Sequence, residues 1–96
     1  MHAPGVTVEQ LPRTSFRRKS ELPRYAVRLD GTMIGRVETH HLDGARSLFY
    51  FSHALHPESG EEHRLEGGID FEERVDVVRR FWLDPMQFPQ HLGIRR

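Results

Sequence analysis

The chain has 96 residues, with 14 basic and 14 acidic side chains and no cysteine. This length suits one domain with a single modest core, and the lack of cysteine excludes disulfide bridges, thiolate catalysis and cysteine-based metal sites. A net charge of zero argues against a dedicated nucleic-acid-binding domain, which is usually clearly basic. No apolar run is long enough for a membrane span or a signal peptide, so a cytoplasmic location is expected.

Residues 1–22 are predicted to form a flexible, basic N-terminal arm. They contain Pro4, Gly5 and Pro12, few large apolar side chains, and the basic run 17–19. Residues 1–28 carry six basic and two acidic side chains, whereas residues 57–84 carry nine acidic and four basic ones. Such opposite charges can steer a polar partner or attract one another.

Residues 23–84 are predicted to form a compact α+β domain. Alternating apolar residues predict strands at 25–29, about 33–41 and about 47–56, with a less regular fourth strand at about 63–67. Asp30 and Gly31 favour a tight hairpin because glycine accepts a positive φ, and residues 42–46 and 57–60 predict two further turns. The expected sheet is an antiparallel meander of three to four strands, whose third strand, apolar on both sides, would have both faces covered.

The segment 71–83 predicts one C-terminal helix packed on a face of this sheet. Asp70 can cap its first turn together with Glu73, and Asp84 before Pro85 marks its end. The helix carries an apolar stripe that would face the sheet. The residues of this stripe are Phe71, Val75, Val78 and Trp82.

Residues 85–96 are predicted to be an extended apolar C-terminal tail. Apolar side chains along such a segment must pack on the sheet, on a second subunit or on another protein. Tryptophan, phenylalanine and methionine are typical interface anchors, although Trp82 completing the core is an equally simple interpretation. The predicted partner-binding residues are Trp82, Met86, Phe88 and Leu92.

Seven histidines raise the question of a metal site. His53, His56 and His63, with Glu61 or Glu62, would converge around the turn at 57–60. His53 and His56 are three apart on a strand, however, and therefore point to opposite faces. No nucleophile elbow, phosphate loop or paired-carboxylate motif accompanies them. We expect no metal, no cofactor and no catalytic residue.

The segment Tyr25–Val37, which reads YAVRLDGTMIGRV, resembles the opening hairpin of small uncharacterised proteins of actinobacteria and their phages. The resemblance covers thirteen residues of strand and turn and implies no activity. It agrees with the composition, since 13 of the 14 basic residues are arginine, as a GC-rich genome would produce.

These patterns favour a non-enzymatic interaction or assembly accessory module of a GC-rich bacterium or its phage. Its partner would be another protein or a second copy of the chain, because arms add contact area without enlarging a small core. The alternative is nucleic-acid binding through the N-terminal arm and the sheet. The phosphate-contacting residues would then be Arg17, Arg18, Lys19, Arg24 and Arg28. Neither interpretation involves a membrane or a small-molecule substrate.

Overall fold

The computed structural model describes residues 2–13, 21–41 and 48–88. Within these ranges, five strands precede one helix, and a short 3-10 turn at Pro85–Gln87 follows it. The elements are β1 (Val6–Gln10), β2 (Arg24–Leu29), β3 (Thr32–His41), β4 (Leu48–Leu55), β5 (Glu62–Gly68) and α1 (Phe71–Leu83).

The strands form one antiparallel sheet in the order of the chain, β1-β2-β3-β4-β5. The predicted class, an α+β fold with an antiparallel sheet and one helix, is confirmed. The sheet has five strands rather than three to four, and the additional strand is β1, which lies within the segment predicted to be an arm. Its alternation is only five residues long and stands between Gly5 and Pro12, so the turn-forming neighbours obscured it.

Local sequence signals explain the tight turn between β2 and β3 and the start of α1. Asp30 and Gly31 have φ values of 50° and 86°, which closes the hairpin between β2 and β3 as a tight turn requires. Asp70 accepts a hydrogen bond from the backbone N–H of Glu73 at 3.2 Å and so caps α1. The predicted turn at 42–46 lies outside the described residues.

The core lies between α1 and one face of the sheet, where the helix contacts β4 and β3 most extensively. Ser52 on β4 is fully buried, and its hydroxyl donates a hydrogen bond to the Arg74 carbonyl of α1 at 2.9 Å. The principal buried apolar side chains are Val27, Ile34, Val37, Ala54, Leu65, Val75, Val77, Val78 and Phe81.

Gly35 on β3 is the point of closest approach between helix and sheet. A Cβ atom at this position would lie 2.7 Å from Val78 Cγ1 and would also collide with the backbone carbonyl of His53. Only glycine lets α1 approach the sheet this closely, because any side chain would fill the space that Val78 occupies.

The helix covers one face of the sheet and leaves the other uncovered within residues 2–13, 21–41 and 48–88. The expectation that both faces of β4 are covered stays a prediction, since residues 89–96 of the tail that could cover the second face lie outside the described residues. Among the described residues, the second face of β4 is shielded by side chains of its neighbouring strands. None of the described helices is long and apolar enough to cross a bilayer.

Candidate functional site

The face of the sheet turned away from α1, which we call the open face, carries a cluster of charged and aromatic side chains. Its composition follows from the register, since cross-strand partners share a face. Arg36 on β3 pairs with His53 on β4, which pairs with Arg64 on β5. The residues of the cluster are Arg36, Glu38, His40, Phe49, Phe51, His53, Glu62 and Arg64.

Arg36 joins two carboxylates across the open face. Its Nε and Nη2 atoms each donate a hydrogen bond to Glu62 at 2.9 Å, in the two-pronged geometry that favours arginine over lysine. It also forms an ion pair with Glu38. The hydrogen bonds from Arg36 lower the pKa of the Glu62 carboxyl. Glu62 is therefore ionised at neutral pH, which makes it unsuited to act as a general acid.

His53 lies between these carboxylates. Its Nε2 is 3.6 Å from Glu38 Oε1 and its Nδ1 is 3.9 Å from Glu62 Oε1. Among the described residues Nε2 finds no hydrogen-bond partner, and the side chain is only 13% exposed. Burial lowers the pKa of His53, and the nearby positive charge of Arg36 lowers it further. The ring is therefore held in its neutral form at neutral pH.

The aromatic part of the open face is already occupied by the protein's own side chains. The guanidinium carbon of Arg64 lies 4.1 Å from the centre of the Phe51 ring. The rings of His40 and Phe49 contact the same ring, with centroids at 4.9 Å and 5.3 Å. Phe51 therefore helps to hold β3, β4 and β5 together and does not offer a free stacking platform.

The C-terminal end of α1 presents a different surface, an apolar patch formed by Trp82, Leu83 and Met86, which we call the C-terminal patch. Leu83 is 58% exposed and Met86 81% exposed, whereas Trp82 is half-buried against the core. Buried Phe81 and half-buried Phe88 lie beside it with their rings in edge contact at 5.4 Å. This contact holds the end of the helix and the following turn against the core.

The structure describes three of the four residues predicted to bind a partner, and they differ in exposure. Met86 is largely exposed, but Trp82 and Phe88 pack partly against the core. Trp82 therefore contributes to the core as well as to the surface, in line with the interpretation that it completes the core. Leu92 lies outside the described residues.

Two of the five residues predicted to contact phosphate lie in the described part of the chain. Arg24 donates a hydrogen bond to the Pro12 carbonyl at 2.9 Å, and Arg28 lies 3.5 Å from Glu9. Both guanidinium groups are thus engaged within the domain. The remaining three, Arg17, Arg18 and Lys19, lie outside the described residues.

Two of the three histidines considered for a metal site lie together, and the third lies on the other face of the sheet. His56 and His63 are neighbours, with ring centroids 5.9 Å apart, and both contact Phe81. His53 lies instead on the open face, because the side chains of a strand alternate between its faces. Across the described ranges, no three histidine or carboxylate side chains are arranged to hold a metal ion.

The ion network of Arg36 and Glu62 was not predicted as a site. The two residues are 26 positions apart, so their contact depends on the register of three strands. The only local signal is the alternation of Arg36, Glu38 and His40, which places them on one face of β3. Comparisons with protein-family models, with curated proteins and with solved structures found no match to this chain.

Proposed function

We propose that the protein is a non-enzymatic interaction module that binds another protein through its C-terminal patch. The observation that carries this proposal is the exposure of Leu83 and Met86, at 58% and 81%, beside the half-buried ring of Trp82. Isolated exposed apolar residues are common on protein surfaces. Two exposed ones, Leu83 and Met86, lie beside the partly exposed Trp82 and are held by a packed helix end, so together they supply the apolar centre that interfaces require.

The charges around the C-terminal patch suit a contact driven by apolar burial. Arg79 and Arg80 precede the patch on α1, and both form ion pairs with Asp76, at 2.9 Å and 3.0 Å. The single carboxylate of Asp76 thus offsets part of the positive charge of these two arginines. A partner bound at the patch gains little long-range attraction from them, so we expect its affinity to depend weakly on salt.

Nucleic-acid binding is supported less well by the described residues. Arg24 and Arg28 are engaged with other groups of the domain. The open face offers Arg36 and Arg64, but the carboxylates Glu38 and Glu62 lie among them and would repel phosphate. Within our proposal, the protein comes from a GC-rich bacterium or its phage and acts in the cytoplasm.

Partner capture with matched surface variants tests this proposal. The full chain is immobilised, its partner is recovered from bacterial lysate, and affinity is measured with Leu83→Ser/Met86→Ser. Burying a leucine or methionine side chain contributes about 1.5–3 kcal/mol, so we expect at least about 100-fold weaker binding. Ile69→Ser is the control, because Ile69 is 70% exposed but lies before the opposite end of α1.

The same measurement separates the two functions. Binding that survives the double substitution, or that Ile69→Ser weakens equally, would refute a role for the C-terminal patch. Recovery of nucleic acid, with affinity that falls steeply as salt increases, would favour the alternative function instead.

A further inference from the structure

The outer edge of β1 is a row of backbone groups without partners among the described residues. Leu11 donates its N–H to the Arg24 carbonyl and Asp30 donates its N–H to the Gly5 carbonyl, both at 2.8 Å. In an antiparallel pair, hydrogen-bonded positions alternate along each strand. The odd-numbered residues of β1 therefore bond to β2, while Val8 and Gln10 direct their N–H and C=O groups outward, together with the Val6 carbonyl.

Apart from one charged side chain, this edge lacks the prolines, lysines and bulges that usually protect edge strands. The register of β1 with β2 is regular over all five residues and contains no bulge. The strand contains no proline or lysine, and its one charged residue, Glu9, lies 3.5 Å from Arg28. Natural edges are commonly blocked by charges, prolines or bulges because exposed backbone groups recruit other strands.

The opposite edge of the sheet, β5, carries features that usually protect an edge strand. The register of β5 with β4 shifts between Phe51 and His53, which marks a bulge. Three charged side chains, Glu62, Arg64 and Glu66, are exposed along β5. The two edges of the described sheet are therefore different, and β1 is the better suited of the two to accept a strand.

We propose that β1 pairs antiparallel with β1 of a second copy of this chain, so that two sheets join into one continuous sheet. With the two-fold axis at Val8, this residue exchanges both backbone hydrogen bonds with its counterpart, and Gln10 donates to the Val6 carbonyl of the other copy. Thr7 then faces Glu9 of the other copy, which sets a hydroxyl donor opposite a carboxylate. No like charges face each other in this register.

The side chains on the helix side also favour a second copy. Val6 and Val8 point to that side, where Val6 is buried and Val8 only half-buried against the core. The helix lies mainly over β3 and β4 and makes few contacts with β1. Pairing about Val8 brings the two Val8 side chains together and continues the apolar layer across the junction. This contact needs nothing from the C-terminal patch and is independent of the proposed function.

The first test measures solution mass by light scattering over a range of concentrations for the full chain and two variants. Gln10→Pro removes an N–H that the ladder with β2 does not use, and proline is tolerated in an edge strand at such a position. Because the dimer is two-fold symmetric, the substitution removes one hydrogen bond from each copy, two in total. We therefore expect the dimer dissociation constant to rise roughly 30-fold. Gln10→Thr keeps the N–H and should dimerise like the natural protein.

The second test needs no substitution and follows amide hydrogen exchange residue by residue. The Val8 and Gln10 amides should be protected at concentrations where the mass is that of a dimer, and should exchange rapidly after dilution. The Thr7 and Glu9 amides, which bond to β2, should be protected in both conditions.

Three outcomes would overturn the proposal. They are a monomer at every concentration, a dimer that Gln10→Pro does not weaken, and protection of the Val8 and Gln10 amides in the monomer, which would mean that the chain covers its own edge. If Gln10→Pro fails to fold, hydrogen exchange of the natural protein alone decides.

Discussion

Replacing Gly35 with alanine should test how tightly α1 packs on the sheet. The added Cβ would lie 2.7 Å from Val78 Cγ1 and 3.1 Å from Ala54 Cα, and would collide with the His53 carbonyl. The last two atoms belong to the backbone of β4, so a rotamer change at Val78 cannot relieve the clash. Either β3 must separate from β4, or α1 must move outward.

The magnitude follows from two opposing effects. Forcing an additional methyl group into a packed core costs about 1–3 kcal/mol, and the high end applies where backbone is in the way. Alanine also lowers the conformational entropy of the unfolded chain, which offsets about 0.4–1 kcal/mol of this cost. We therefore expect a net loss of about 2 kcal/mol in the free energy of unfolding. For a domain of this size, Tm should fall by roughly 8–16 °C.

Thermal and urea unfolding followed by circular dichroism measure this loss, with Gly68→Ala as the matched control. Gly68 is also a strand glycine, but a Cβ there would meet only Arg74 side-chain atoms, at 3.5 Å and beyond. The control should be neutral or slightly more stable. If Gly35→Ala matched the natural protein or exceeded its stability, the close approach of helix and sheet at Gly35 would be refuted.

Substitutions at three further positions test other contacts. The pKa of His53 is lowered in the folded protein, so below about pH 6.5 the His53 ring takes up a proton more readily in the unfolded chain than in the folded one. The free energy of unfolding should therefore rise with pH up to about 6.5. The urea midpoint measures this dependence, and His53→Gln should remove it. Ser52→Ala removes the hydrogen bond to Arg74 and should cost about 1 kcal/mol in urea unfolding; no loss would mean that this bond adds nothing. Asp70→Ala should cost about 1 kcal/mol, whereas Asp70→Asn, which keeps a cap for the Glu73 amide, should retain most of that stability; equal losses would contradict the capping role.

The elements that sequence predicted best are those whose signals are local. Asp30 and Gly31 specify their turn by backbone conformation, and Asp70 specifies the start of α1 by a hydrogen bond within one helical turn. The alternation in β2 to β4 is long enough to stand out from chance. In β1 the same alternation spans five residues between turn-forming neighbours, so it was not recognised.

The surfaces were harder to predict because they depend on residues distant in the chain. Arg36 meets Glu62 only after β3, β4 and β5 have paired in one particular register. Sequence indicated the apolar character of Trp82 and Met86, but their unequal burial depends on how α1 ends against the core. Residue type predicts which side chains can form a surface, and the register decides which of them meet.

The order of the strands has a consequence for folding during synthesis. Every strand pairs with the strand that precedes it, so each hairpin can form as soon as its second strand leaves the ribosome. The helix that covers the apolar face is the last of these elements to be made. Until α1 emerges, Val27 and Val37 belong to a sheet whose apolar face lacks the helix that buries it among the described residues, so the nascent chain exposes an aggregation-prone surface until α1 is made.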